Sequence, residues 1–179
     1  MSRIPEKTRD ELPAEAQAIW DRIQAGKSGG SSPYGILIYT PTMADHLSSV
    51  ENYFRHNGTL NTRDKEIVIL TASRDLGARF PWSRHEIRAR REGVRPEAIE
   101  ALRVNESLDA LTEHEHLIVD ATRSLLHERR LSDELFSQVS AELGPERLVE
   151  LVGLVCHYNM ISSVANVFDL EPPEGTTTF

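Results

Sequence analysis

The sequence is poor in cysteine, and this limits the chemistry that thiols could supply. Cys156 is the single cysteine among 179 residues, so the chain cannot form an internal disulfide or a site that requires several thiolates. One thiol fits a reducing compartment. Because Cys156 follows the apolar residues of a predicted helix, we predict a buried structural thiol there. A redox role through a bridge between two chains is the alternative.

Long apolar runs and an excess of positive charge are also missing. No stretch of about 18 apolar residues, the length of a membrane-spanning helix, occurs, and the first residues lack the apolar core of a signal peptide. Twenty basic residues against 28 acidic ones give a formal net charge of -8, which argues against general binding to nucleic acid or anionic membranes. The arginines at residues 79–91 alternate with Glu86 and Glu92, which favours a solvated helix face over a binding patch. We therefore predict a cytoplasmic protein with no nucleic-acid or membrane partner.

The remaining composition indicates a folded chain with a core of its own. With 39% hydrophobic and 27% charged residues, we predict one domain over residues 1–179, with extended tails at 1–11 and 171–179. The glycine-rich run at 26–33 follows a predicted helix and lacks the spacing of a phosphate loop, so we interpret it as a flexible connector. Helical periodicity and end signals predict an all-α fold of about eight helices, at 13–24, 41–54, 62–76, 81–92, a short helix from 95, 112–129, 132–143 and 145–168.

The apolar run from Ile67 to Leu70 is compatible with two kinds of structure. Its β-branched residues would suit a short buried strand. The chain continues through residues 71–76 without a turn signal until Gly77, which favours a helix. Thr62 is the predicted N-cap, and the density of apolar residues predicts a helix that is buried nearly all round.

Four residues with useful chemistry lie on this helix and the next one. Arg63 and Glu66 are one turn apart and share a helix face, as do Trp82 and His85. The short connection between the helices makes them close neighbours, so we predict that Glu66 and His85 meet. A carboxylate beside an imidazole fixes the tautomer and favours proton transfer near neutral pH, and a tryptophan supplies a dry wall for a small substrate. The alternative is an ordinary Arg63–Glu66 ion pair beside a partly buried histidine.

The order and spacing of these residues resemble a known family. Residues 60–70 follow the pattern L-x-x-R-x-x-E-x-x-I-L, residues 82–85 the pattern W-x-x-H, and residues 89–94 the pattern A-x-x-x-G-V. Together with the apolar segment 150–168, they make the chain resemble the carboxymuconolactone decarboxylase family of the alkylhydroperoxidase D (AhpD)-like superfamily over about residues 40–170. The resemblance implies an AhpD-like helical bundle and a closed homo-oligomer, commonly a trimer or hexamer.

The same resemblance bears on redox chemistry. In the AhpD branch a C-x-x-C pair precedes the histidine, and its two positions fall on Ala78 and Pro81 in this chain. Neither residue can supply the reactive thiolate and the resolving thiol that such a peroxidase requires. Peroxidase activity is therefore disfavoured. The decarboxylase branch requires no cysteine, metal or organic cofactor, and we expect no metal and no cofactor here.

The resemblance also implies roles for individual residues. His85 is the expected general acid and base, and Glu66 is its orienting or proton-sharing partner. The residues expected to bind the substrate are Arg63, Trp82, Tyr158 and His56. For three of them an alternative stays open: Arg84 or Arg88 could bind the substrate carboxylate in place of Arg63, and Tyr158 could simply pack in the core. His56, which is suggested by its place after Tyr53-Phe54 rather than by the resemblance, could be an exposed histidine at a helix end.

These observations lead to two functional hypotheses. The first is a cofactor-free acid–base enzyme, a decarboxylase or related lyase acting on a small anionic organic acid or lactone, with hydrolysis and isomerisation still open. The second is a degenerate member that binds a ligand or forms a structural oligomer; the missing cysteines and the Phe80-Pro81 pair beside the histidine motivate it. His114 and His116 are two positions apart and do not share a helix face, so we predict solvated side chains rather than metal ligands.

Overall fold

The computed structural model describes residues 2–25 and 33–179, so the predicted connector lies outside the described residues except for Pro33. Within these ranges all regular elements are helical and no strand occurs, which confirms the all-α prediction. A 3-10 turn at Arg9–Glu11 precedes the helices, which are α1 (Ala14–Gln24), α2 (Tyr34–Leu37), α3 (Pro41–His56), α4 (Thr62–Asp75), α5 (Arg79–Arg91), α6 (Pro96–Val104), α7 (Glu113–Glu128) and α8 (Asp133–Val167).

The chain forms two compact units. The first unit comprises Met1–Gly58 and Val167–Glu171, and the second comprises Thr59–Asn166 and Pro172–Phe179. The expectation of a single domain stays a prediction.

In the first unit, α1 packs against α3. Arg22 of α1 donates a hydrogen bond of 2.7 Å to Asp45 of α3. The buried helix α2 was not predicted, because four residues are too short for an apolar period to show. The 3-10 turn corrects the prediction of an extended tail over residues 1–11, and the Thr8 amide closes it by donating to the Glu11 carboxylate at 2.7 Å.

Several apolar side chains of α3 are exposed. Met43 and Val50, for example, are 47% and 44% exposed. A shallow groove of about 570 Å³ lies along the start of the helix, where Met43, His46 and Leu47 contribute to its lining. Exposed apolar surface of this kind is typical of contacts between chains.

Helix α4 is the central helix of the second unit, where it packs against α5, α6 and α7. All residues from Glu66 to Ser73 are buried, so the predicted all-round burial is confirmed and the strand alternative is wrong. The N-cap is Asn61 rather than Thr62: the Asn61 side chain accepts a 2.8 Å hydrogen bond from the Arg63 amide.

Helix α8 changes direction at Gly144, where the sequence predicted the boundary between two helices. Gly144 has φ 73° and ψ 168°, a backbone conformation that is essentially restricted to glycine. Pro145 follows it and begins the second arm, residues 145–167, because proline is favoured at the first position of a helix.

Two hydrogen bonds fix the second arm of α8 alongside α4. The Glu150 carboxylate accepts from the Leu60 amide, just before α4, at 2.7 Å. The Asn166 side chain donates to the Leu76 carbonyl, just after α4, at 2.7 Å. The two helices therefore run parallel, and the middle of the arm lies beside the middle of α4.

By length and composition α8 could also cross a membrane, since it contains an 18-residue window of mean hydropathy 1.4. Of that window, 56% is buried inside the protein. Such burial is typical of the core helix of a soluble protein, so the apolar composition of α8 is weak support for a membrane span.

Candidate functional site

Glu66 of α4 and His85 of α5 meet in the interior of the second unit. Glu66 Oε2 lies 2.7 Å from His85 Nδ1, and the two side chains are 4% and 9% exposed. The predicted contact is confirmed. An ionised carboxylate can only accept hydrogen bonds, so the Nδ1–H of His85 donates to Glu66.

The second arm of α8 adds Tyr158 to this pair. The Tyr158 hydroxyl lies 2.8 Å from His85 Nε2, and the two rings meet edge to face with their centroids 5.1 Å apart. With Nδ1 protonated, the neutral imidazole presents Nε2 as an acceptor, so the Tyr158 hydroxyl donates to it. We refer to Glu66, His85 and Tyr158 as the triad.

The triad joins three groups that can each gain or lose a proton. Two short hydrogen bonds connect them in one line, from carboxylate through imidazole to phenol. All three residues are at least nine-tenths buried, and hydrogen bonds between ionisable groups are stronger in such surroundings than in water. The arrangement is chemically suited to moving a proton.

Trp82 lies one helical turn before His85 and is fully buried. Its ring meets that of Phe179 edge to face at a centroid distance of 5.3 Å, and the Arg74 guanidinium lies 4.7 Å from the centre of the Phe179 ring. The predicted tail at 171–179 thus has no regular secondary structure, yet its last residue packs on α4 and α5. Among the described residues, the Trp82 Nε1–H finds no hydrogen-bond acceptor. The role of Trp82 as a pocket wall stays a prediction.

Arg63 is a residue at the start of α4, and its side chain lies against the C-terminal end of α5. Its Nε donates to the Glu92 carbonyl at 3.4 Å, and its Nη2 is 3.4 Å from the point that a Cβ on Gly93 would occupy. Gly93 also has a φ of 81°, so a side chain there would be strained as well as crowded. Arg63 therefore ties the start of α4 to the end of α5, and its role in binding a substrate stays a prediction.

The other predicted substrate contacts are arginine and histidine side chains nearer the surface. Arg84 is exposed and Arg88 is half-buried on α5. His56 is exposed at the C-terminal end of α3, in the first unit. A substrate contact of His56 stays a prediction.

His114 is not the solvated side chain that the sequence predicted. Its Nε2 lies 2.9 Å from Asp64 on α4, and its Nδ1 lies 2.8 Å from Glu142 on α8. Burial opposes protonation of the ring, but the hydrogen bonds and charges of the two carboxylates outweigh burial and raise the pKa of His114. No motif reveals this clamp, because 50 positions separate His114 from Asp64.

The structure also decides two questions about thiols. Cys156 is exposed, so the prediction of a buried thiol is wrong: Cys156 shares its side of α8 with the exposed residues Val149 and Ser163. Ala78 and Pro81, at the two redox positions, are both buried at the start of α5. No thiol precedes His85 on that helix.

Comparison with known proteins agrees with this architecture. Residues 41–123 match the model of the carboxymuconolactone decarboxylase family. An AhpD-core structure, an uncharacterised peroxidase-related protein from Ralstonia eutropha JMP134, superposes with a TM-score of 0.81 at 14% identity, covering 97% of this chain and 93% of its own. The resemblance to the carboxymuconolactone decarboxylase family is thus confirmed over residues 41–123, and the chain has the AhpD-like helical fold.

Two further solved structures share the AhpD-like fold. A protein of unknown function from Agrobacterium tumefaciens has a TM-score of 0.67 at 23% identity over 80% of this chain and 99% of its own. A variant of the debrominase Bmp8 in complex with 2,3,4-tribromopyrrole has a TM-score of 0.74 at 13% identity, over 97% of this chain and 93% of its own. At these identities the likeness shows the fold alone. No curated protein matches the sequence.

The region that matches the carboxymuconolactone decarboxylase model contains part of the triad. Glu66 and His85 lie inside residues 41–123, as do Arg63 and Trp82. Tyr158 lies outside the matched region. The matched region therefore includes the Glu66–His85 pair, whereas the hydrogen bond to Tyr158 is seen only in the structure.

Proposed function

We propose that this protein is a cofactor-free acid–base enzyme, a decarboxylase or related lyase that acts on a small anionic organic acid or lactone. One observation carries the proposal: a buried carboxylate, Glu66, lies 2.7 Å from Nδ1 of a buried histidine, His85. His85 is the acid–base group of the reaction, and Glu66 fixes its tautomer and balances the charge of its protonated form.

The chemistry of decarboxylation explains why such a pair is useful. When carbon dioxide leaves a carboxylate, the electron pair of the broken bond stays on carbon, which must then receive a proton. A histidine that takes protons from solvent and gives them to carbon completes this reaction without a metal or an organic cofactor. Arginines suit the anionic groups of the substrate, and we propose Arg63, Arg84 or Arg88 for that role.

The comparisons support the class of reaction and the size of the substrate. The matching family is named for a carboxymuconolactone decarboxylase, and the debrominase Bmp8, which shares the fold, is in complex with a small ring compound. Peroxidase activity of the AhpD kind would require two thiols before His85, where this chain has Ala78 and Pro81.

The proposal is tested by measuring carbon dioxide release from carboxymuconolactone by the purified chain. We expect His85→Ala to lower kcat by about 10²–10⁴-fold, the usual contribution of a positioned acid or base. Glu66→Gln keeps the shape of the side chain but removes its charge, and it should also lower kcat. His116→Ala, at a half-buried position of α7, is the matched control and should leave kcat unchanged. Full turnover by His85→Ala would refute the assignment.

A second function is favoured by one observation. Trp82 is fully buried and Phe179 packs on its ring, as in a solid core rather than the wall of an open pocket. A degenerate member that forms a structural oligomer, or that binds a small acid away from Trp82 without converting it, would have this packing. Carboxymuconolactone that raises the melting temperature of the wild-type chain, with no release of carbon dioxide, would favour this second function.

The proposed enzyme works without nucleic-acid or membrane partners. We place it in the cytoplasm, as the single thiol and the acidic composition suggest. We also propose a homo-oligomer, a trimer or a hexamer. The exposed apolar side chains of α3 support this part of the proposal.

A further inference from the structure

Both ring nitrogens of His85 are occupied by other groups of the protein. Nδ1 donates to Glu66 at 2.7 Å, and Nε2 accepts from the Tyr158 hydroxyl at 2.8 Å. An imidazole exchanges protons only through its two nitrogens. A substrate can therefore exchange a proton with His85 only through Glu66 or Tyr158, or after displacing one of them. Of the two, only the Tyr158 hydroxyl carries a proton that it can donate, because an ionised carboxylate only accepts.

We infer that Tyr158 is the catalytic residue that exchanges the proton with the substrate, and that His85 acts through it. This inference rests on the proposed function. It changes only which atom contacts the reacting carbon: the phenol oxygen of Tyr158 rather than Nε2 of His85. His85 and Glu66 then supply and store the proton behind Tyr158.

The proton movements of this relay balance. The reaction begins with His85 as an imidazolium, whose Nε2–H donates to the Tyr158 oxygen while the Tyr158 O–H points at the substrate. As the bond to the carboxylate breaks and carbon dioxide leaves, the carbon takes the Tyr158 proton and the phenol oxygen takes the Nε2 proton. His85 ends neutral, with Tyr158 donating to Nε2 as in this structure. One proton from solvent restores the imidazolium.

The position of Tyr158 is well defined, as a relay requires. Its ring packs edge to face on His85 and also on His157, at centroid distances of 5.1 and 5.5 Å. The arm that carries it is fixed to both ends of α4 by Glu150 and Asn166. The hydroxyl is thus held in line with Nε2 by two ring contacts and by the fixed position of the arm rather than by one contact.

The test is Tyr158→Phe, which removes the hydroxyl and keeps the ring contacts. With carboxymuconolactone as the probe, we expect kcat to fall by about 10²-fold or more, with KM changed by no more than about threefold. Tyr39→Phe, which removes an exposed hydroxyl bonded to the Pro5 carbonyl, is the matched control and should keep full activity. Equal melting temperatures of Tyr158→Phe and wild type would show that the fold is retained.

A second readout separates a relay from a merely structural tyrosine. Two protons move together in the relay. A plot of the wild-type rate against the deuterium fraction of the water should therefore be curved. The residual rate of Tyr158→Phe should instead vary linearly, because one proton moves. Nitrogen NMR of His85 should show Nε2 as an acceptor in the wild type and a changed Nε2 shift in Tyr158→Phe.

The outcomes distinguish failure of the inference from failure of the proposed function. Wild-type turnover with Tyr158→Phe within threefold of it would overturn the relay and leave His85 as the acid–base group. Unchanged kcat with a lower KM would show that the substrate displaces the hydroxyl, which also overturns the relay. No turnover by the wild type would refute the proposed function, and the inference with it. An Nε2 shift that is identical in the wild type and Tyr158→Phe would overturn the inference whatever the activity.

Discussion

Replacing Glu150 with alanine should destabilise the protein by removing the support for the start of α4. Glu150 is buried on α8, and its carboxylate accepts from two successive backbone amides, those of Thr59 at 2.9 Å and Leu60 at 2.7 Å. These amides directly precede the helix that carries Glu66. Glu150→Ala leaves both donors without the carboxylate.

The magnitude follows from the burial of the two amides. Leu60 is 3% exposed, so its N–H would lose its partner in the interior, which costs about 1–3 kcal/mol. Thr59 is exposed and its amide can turn to water, so losing that bond costs about 0.5–1.5 kcal/mol. Removing a buried charge offsets part of this cost. We expect the free energy of unfolding to fall by about 2 kcal/mol, which corresponds to about 4–8 °C in Tm for a chain of this size.

Urea and thermal unfolding would measure the change, and hydrogen exchange at the Leu60 amide would localise it. The control is Glu146→Ala, one turn earlier on the same helix and exposed; it should change stability by no more than about 0.5 kcal/mol. Glu150→Gln keeps one acceptor oxygen, so its loss of stability should lie between those of Glu146→Ala and Glu150→Ala. A loss below about 1 kcal/mol for Glu150→Ala, with an unchanged m-value, would refute the reasoning, because the amides would then have found other partners.

Three further predictions concern other parts of the molecule. His114→Ala should cost more stability near pH 6 than near pH 9, because the pKa of His114 is raised by Asp64 and Glu142: its contribution is complete below the unfolded pKa of about 6.5 and is lost as the pH rises through the folded value. A loss of stability on His114→Ala that increases with pH would contradict this prediction. Gly144→Ala should cost about 1–3 kcal/mol in urea unfolding from backbone strain alone, since a Cβ there meets no atom within 4 Å; an unchanged midpoint would contradict this. Light scattering should give a trimer or hexamer, and a mass near the 20.2 kDa of one chain would contradict the exposed face of α3 as a contact surface.

The parts of the fold that could be predicted are those that depend on local chemistry. The capping box of α7 forms as its spacing indicates, with the Thr112 amide donating to Glu115 at 2.8 Å, and Gly144 divides α8 where the sequence placed a helix boundary. The contact between Glu66 and His85 was also predictable, because a short turn joins their helices. Each of these features involves residues that are near in sequence or joined by a connection of a few residues.

The features that were missed depend on contacts between distant segments. The orientation of Cys156 is set by which side of α8 faces the interior, and several sides of that helix are apolar in sequence. The clamp on His114 requires the packing of α7 against α4 and α8. The hydroxyl of Tyr158 meets His85 across 73 positions, so the sequence could place Tyr158 near a pocket but not on Nε2. In each case the burial of polar groups by tertiary packing selects the partner.

Each helix that carries a triad residue is joined to another segment by a side-chain hydrogen bond. The start of α4 is bound by Glu150, the end of α5 by Arg63, and the arm of α8 by Asn166. None of these three side chains belongs to the triad, yet each fixes the backbone from which one triad residue projects. A proton passes efficiently only across distances near those observed, so loosening any one helix should lengthen a hydrogen bond of the triad. Because Glu150 and Asn166 both act on the α4–α8 contact, they control the alignment of Tyr158 with His85, whereas Arg63 controls that of His85 with Glu66. Substitutions of Glu150 or Asn166 should therefore weaken the His85–Tyr158 hydrogen bond first. Substitutions of Arg63 should first weaken the hydrogen bond between Glu66 and His85.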